Sequence, residues 1–251
     1  MVLTVRRLVP VAAALLAACA SGPTPRQREA AEIHTNLGTE ALRAGRSQEA
    51  LREFEEALRS NDDLAEAHLG RGLVLEFSFG RTDEAEKEYR RAIALKPSMS
   101  EAHNNLGQLL AGRGRLDEAL AEFDAALANM YYREPYSARF NKGKVLEALG
   151  RREEALAELR TCLTLNPRYC PCHRETGRIL LEAGRGKEAL AAFERLTQLC
   201  DRDPDGWYQS GLAQLRLGDA EAARVAFGRC AELAGASDLG GECRQKRDQL
   251  R

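Results

Sequence analysis

Six glycines and six alanines recur along this chain at a nearly fixed interval. Gly38, Gly72, Gly107, Gly143, Gly177 and Gly211 are separated by 34, 35, 36, 34 and 34 residues. Ala50, Ala85, Ala119, Ala155, Ala189 and Ala223 are separated by 35, 34, 36, 34 and 34. A period this short encodes one supersecondary unit, which cannot bury its own apolar surface and must stack on its neighbours. Ser100–Arg133 is the clearest copy. His103, Leu106, Gly107 and Leu110 fall on one face at helical spacing, Gly112 to Gly114 make a turn, and Ala119, Phe123 and Ala126 fall on one face of a second helix. The other copies are Ala31–Leu64 (with Leu37 in the packing set), Ala65–Met99, Tyr136–Tyr169, Cys170–Asp203 and Pro204–Ser237. Asp238–Arg251 is left over and suits a polar capping helix. The period slips twice, by one residue at Phe77–Gly80 and by two at Met130–Pro135. Both insertions are aromatic, as exposed interaction loops are; rings covering adjacent helix ends are the other reading.

Gly on a first helix, with Ala and an aromatic on a second, resembles the tetratricopeptide repeat. The resemblance implies an all-α fold, a right-handed superhelix of six repeats over residues 31–237 with a capping helix at 238–251. The small residues sit where paired helices cross closely, and Phe on the second helix fills the space between layers. Aromatics are only 6% of the chain, which suits such close helix approach. In these arrays the first helices line a concave groove. Thr35, Asn36, Thr39 and Leu42 are its candidates in the first repeat, Leu69, Leu73 and Phe77 in the second, and Asn104, Asn105, Gln108 and Ala111 in the third. Leu69 and Leu73 stand one turn apart on a face the core does not need, although packing between neighbouring helices would also use them. An apolar strip edged by Asn, Gln and Thr fits an amphipathic helix or an extended segment. The Lys and Arg of a carboxylate clamp are largely missing from these positions.

The N-terminus reads as an export signal: Arg6 and Arg7, then an apolar run from Leu8 to Ala18, too short to span a bilayer. Leu16-Ala17-Ala18-Cys19 resembles the lipobox of bacterial lipoproteins. That implies cleavage after residue 18, a lipid on Cys19 and, with Ala20 rather than Asp next, sorting to the outer membrane. Residues 19–30 then form a tether; its Ala20–Gln27 part reaches about 25 Å when extended.

Little here suggests catalysis. The formal net charge of −1 gives no basic footprint for nucleic acid. No phosphate loop, Gly-x-Ser-x-Gly or HExxH motif occurs, and no cofactor, metal or small-molecule substrate is expected. His34, His68, His103 and His173 share one repeat position, held by Trp207 in the sixth, which marks it as a packing site. Six cysteines beyond Cys19 lie in the last three units, and an even number in an exported chain favours disulfides. Repeat geometry orders the pairs as Cys170–Cys200, Cys162–Cys172 and Cys230–Cys243, with exchange of Cys170 and Cys172 left open. A metal or thiol site at Cys170-Pro171-Cys172-His173 is the enzymatic alternative. The stapled half would be rigid and the freer N-terminal half would bind.

Lipobox, short tether, six repeats and late cysteines together resemble the type IV pilus pilotins, the PilF, PilW and Tgl group, with the Tgl of myxobacteria nearest. This implies a non-enzymatic lipoprotein on the periplasmic face of the outer membrane. It would bind the secretin subunit, promote assembly of the pore through which pili extend, and support twitching or social gliding motility. An adaptor for another envelope assembly is the alternative.

Overall fold

A computed structural model describes residues 22–250; Cys19 and the segment 1–18 lie outside them. Among the described residues there are thirteen helices and no strand. Six antiparallel pairs follow in order: α1 (Pro25–Arg43) with α2 (Ser47–Ser60), α3 (Ala65–Phe77) with α4 (Thr82–Leu95), α5 (Ser100–Gly112) with α6 (Leu116–Ala128), α7 (Pro135–Ala148) with α8 (Arg152–Leu165), α9 (Cys170–Glu182) with α10 (Gly186–Leu199), and α11 (Pro204–Arg216) with α12 (Ala220–Ala234). Then α13 (Asp238–Asp248) packs on α12. The chain divides into two compact units between Pro97 and Ser98, the first holding α1–α4 and the second α5–α13.

The period glycines lie against the ring of the paired helix. A Cβ on Gly38 would come within 2.9 Å of Phe54, on Gly72 within 2.6 Å of Tyr89, on Gly107 within 2.7 Å of Phe123, on Gly177 within 2.5 Å of Phe193 and on Gly211 within 2.8 Å of Phe227. Only hydrogen fits there. Gly70 faces the same Phe54 ring from the next repeat, where an added Cβ would come within 2.3 Å. The period alanines, from Ala50 to Ala223, are fully buried beside these rings.

Each pair is closed by one construction. Gly45, Gly80, Gly114, Gly150, Gly184 and Gly218 all have φ between 65° and 83°, where a Cβ would be strained. In the first five turns an Arg follows and grips a Glu three residues on; Arg151 Nε and Nη2 donate to Glu154 at 2.8 and 2.7 Å. Its counterparts are Arg46–Glu49, Arg81–Glu84, Arg115–Glu118 and Arg185–Glu188. In the sixth, Asp219 accepts from the Ala222 N–H instead. The extra residue of the second turn is absorbed locally: Arg81 N–H reaches back six residues to Leu75, where Arg46, Arg115 and Arg151 reach back five.

Two sequence expectations change. The tether expected through residue 30 is helical from Pro25. Thr24 and Gln27 form a capping box, each side chain accepting from the other's backbone N–H, and Pro25 presets the first helical residue. Leu37, expected in the core, is 45% exposed, whereas its counterpart Leu106 is buried. No described helix precedes α1, so its Ile33–Leu37 face is uncovered.

Candidate functional site

In the first unit, Thr35 does not line a groove. It is buried on the stripe shared with Ala31 and Gly38, four residues after Ala31, and its hydroxyl donates to the Ala31 carbonyl at 2.8 Å. Thr39 repeats that bond to Thr35 at 2.9 Å, and Leu42 packs against the Ala41–Ala50–Phe54 cluster. Asn36 is exposed. On α3, Leu69 and Leu73 are half-buried and Phe77 is 67% exposed, so the helix carries an apolar stripe at i, i+4 and i+8.

In the second unit Asn104 is also buried, not free. Its Oδ1 accepts from Asn141 Nδ2 at 3.0 Å, and this bond ties α5 to α7. Asn105 and Gln108 are half-buried. Beside them opens a cavity of about 340 Å³, lined by Gln108, Ala111, Gly112, Leu116, Phe123, Asn141, Lys144, Val145 and Ala148. Asn141 and Lys144 escape a reading that stops at the third repeat. The register carried the signal, because Asn141 follows Asn104 by about one period. The two irregular loops divide: Met130, Tyr131 and Phe79 are exposed, while Tyr132 is buried against Ala126 and Ala138.

The shared His position does more than pack. His68 Nε2 donates to the Asp62 carbonyl at 2.9 Å, His173 Nε2 to Pro167 at 2.9 Å and Trp207 Nε1 to Asp201 at 2.9 Å, six residues back each time. Each ring thereby fixes the loop between repeats. In the first three repeats Nδ1 meets a carboxylate of the second helix: His34–Glu53 at 2.8 Å, His68–Glu88 at 2.7 Å and His103–Glu122 at 2.6 Å. The fourth repeat substitutes Arg139–Glu158 at 2.6 Å.

Around His68 both partners accept hydrogen bonds, an arrangement that favours the doubly protonated, cationic ring. Burial opposes that charge, but Glu88 and the Asp62 carbonyl outweigh it and raise the His68 pKa above the usual imidazole value. A raised folded pKa adds stability that is fully present below the unfolded value near 6.5 and is lost as pH rises through the folded one. The expected result is a urea midpoint that falls as pH rises through and above that range. His68→Phe should flatten this dependence and cost about 1.5–3 kcal/mol at low pH, because it leaves Glu88 without its hydrogen bond. An unchanged pH slope in the variant would contradict the assignment.

All six cysteines of the second unit stand in bonds. Cys162–Cys172 joins α8 to α9 with Cα atoms 6.7 Å apart, Cys170–Cys200 joins the start of α9 to the end of α10 at 6.5 Å, and Cys230–Cys243 joins α12 to α13 at 6.0 Å. The sulfurs of Cys170 and Cys172 therefore serve separate staples, and His173 is committed to the Pro167 carbonyl.

A tetratricopeptide-repeat family profile matches residues 35–95, 75–132 and 174–238, and a second tetratricopeptide profile matches 136–169. None of the curated protein sequences is a match. Among solved structures, the chain is similar to PilW, described as a widely conserved type IV pilus biogenesis factor. The TM-score is 0.78 at 28% identity, over 84% of this chain and 97% of that one. PilF of Pseudomonas aeruginosa gives a TM-score of 0.77 at 20% identity, over 88% of this chain and 99% of that one. YrrB, a tetratricopeptide protein with an unusual peptide-binding site, gives 0.59 at 21% identity, over 76% and 97%. At those lower identities the last two speak to the fold alone.

Proposed function

The chain belongs to the tetratricopeptide-repeat family, and from that premise we propose that it is a non-enzymatic scaffold of type IV pilus biogenesis. The observation that carries this reading is the likeness to PilW, which extends over 97% of that protein at 28% identity. The finer part of the proposal is a pilotin. The chain is lipidated at Cys19, sits on the periplasmic face of the outer membrane, and binds the secretin subunit while the pore assembles. Supporting it are the lipobox-like Leu16–Cys19, the apolar α3 stripe of Leu69, Leu73 and Phe77, and the helix that begins at Pro25. With α1 starting there, only residues 20–24 separate the lipid from the first repeat, about 17 Å at full extension. The lipid would hold the first repeat close to the bilayer into which a secretin must insert. The late cysteines and short tether support a likeness to Tgl within the pilotin group. Peptide capture by repeats is a recurring use of exposed apolar helix faces, while fold alone fixes no client.

The test follows heat-resistant secretin multimers by immunoblot. Cells make the wild-type chain, no chain, Cys19→Ser, or Leu69→Asp/Leu73→Asp, with protein levels checked. Deletion is expected to remove the multimers, and the stripe variant to reduce them at least fivefold while itself accumulating normally. Cys19→Ser is expected to leave a chain that no longer sediments with membranes. Normal multimers in the deletion strain would sink the pilotin assignment.

A further inference from the structure

The cavity between α5, α6 and α7 has a two-part chemistry. Its floor is apolar, from Leu116, Phe123 and Val145; its rim is polar, from Gln108, Asn141 and Lys144. The rim groups keep polar capacity unused. Among the described residues no carboxylate pairs with Lys144, whose ammonium instead lies 5.7 Å from the centre of the Phe140 ring. Nor does the Gln108 side chain take a hydrogen bond from any described residue. Asn141 spends one amide proton on Asn104 and keeps its own carbonyl oxygen for another donor. Nearby cations differ in this respect. Lys142, on the same helix, is held by Asp124 at 2.7 Å and Glu158 at 2.9 Å, and Arg139 by Glu158 at 2.6 Å. An unneutralised ammonium beside an apolar cavity favours one arrangement of ligand charge.

We infer that this cavity is an anchor site for an acidic, extended peptide segment. One aliphatic side chain enters the floor, an Asp or Glu within four residues of it pairs with Lys144, and the intervening backbone bonds to Gln108 and Asn141. The volume of about 340 Å³ is enough for one such side chain and its flanking backbone. The inference rests on the reading of the chain as a protein-binding scaffold, and it names the chemistry of what is bound. It also moves part of the binding into the second unit, beyond the apolar stripe of α3.

The purified full chain is panned against a random dodecapeptide library displayed on phage, and enriched sequences are made as fluorescent peptides. The expected consensus is an aliphatic residue with Asp or Glu within four positions. Lys144→Glu, at an exposed position, is expected to weaken these peptides at least tenfold, and replacing the acidic residue of the peptide by Lys should recover most of that loss. Ala111→Leu fills the cavity from α5 and is expected to weaken every selected peptide, with unchanged helical circular dichroism. A consensus without acidic bias, a change of less than twofold in Lys144→Glu, or no enriched peptide overturns the inference. The secretin-multimer assay run beside it separates the two readings. Multimers lost on deletion, with negative peptide results, leave the scaffold standing and remove the cavity as its anchor site. Multimers kept on deletion remove the secretin role, while the peptide results still decide the cavity.

Discussion

Gly177→Val is expected to destabilise the second unit by about 3 kcal/mol or more in urea unfolding. An added Cβ would lie 2.5 Å from Phe193 Cε1 and 2.7 Å from Cδ1 and Cζ. The ring has nowhere to go, because Phe193 is fully buried in the cluster built from Ala189, Leu196 and Ile179. Overpacking a filled core by one or two carbons costs about 1–3 kcal/mol. Valine adds Cγ1 and Cγ2 beyond that Cβ, so its cost lies at or above the top of this range. Gly177→Ala is the milder form, partly offset by the gain of about 1 kcal/mol in helix propensity. The molecule contains its own control in the fourth repeat. There Leu159 replaces the aromatic, and a Cβ on Gly143 would stand 3.1 Å from Leu159 Cγ. Gly177→Ala/Phe193→Leu should therefore be less destabilised than the sum of its single variants by about 1 kcal/mol or more in urea unfolding. Strict additivity would mean that the glycine is not where the two helices clash.

The same contact explains why so much of the fold could be read without coordinates. A Gly facing a ring in five repeats, and a leucine in the fourth, is a steric requirement, and a steric requirement repeated along the chain becomes a period. The turn glycines were equally legible in principle. Gly80 and Gly114 lie in turns that apolar spacing marks, whereas the Gly-Arg-x-x-Glu pattern that closes Arg46, Arg81, Arg115, Arg151 and Arg185 onto their glutamates has no apolar signature. The histidines were half legible. A place shared by His and Trp signals packing, but what the two rings share is an N–H aimed at a carbonyl six residues back.

The groove was harder, for a physical reason. Facing on a helix is set to within one residue, about 100°, and Thr35 differs from Asn36 by that step. Thr35 turned inward because its hydroxyl can bond the carbonyl four residues back and needs no outside partner. Asn104 turned inward because Asn141 offered it an amide from the next repeat. Both are contacts made by polar side chains with partners that helical spacing does not name. The start of α1 was missed for the converse reason: a capping box between Thr24 and Gln27 overrides a composition of Pro, Thr and Gln that otherwise reads as linker.

Removing the three disulfides is expected to have the other large effect, and to be confined to one unit. All six cysteines lie in the second unit, and the described part of the first contains none. The bonds close chain separations of 10, 30 and 13 residues. In the chain-entropy picture these amount to about 2.7, 3.7 and 2.9 kcal/mol, against a typical domain stability of about 5–15 kcal/mol. Cys170→Ser/Cys200→Ser should therefore be the most damaging pair, at about 3–4 kcal/mol. Cys230→Ser/Cys243→Ser should instead act locally. Cys243 and Gly240 are the buried residues of α13, so without the bond the helix keeps mainly Leu239 and the exposed Tyr208–Glu242 and Arg244–Gly235 contacts, and its amides should exchange faster. The measurements are thiol counts under denaturing conditions, then urea unfolding and hydrogen exchange with and without reductant. Reductant should speed exchange in α8–α13 and leave α1–α4 unchanged. Six free thiols in the oxidised second unit would refute the pairing itself. Equal loss of protection in both units would show instead that the repeats unfold as one body, and that the division at Pro97 has no energetic meaning.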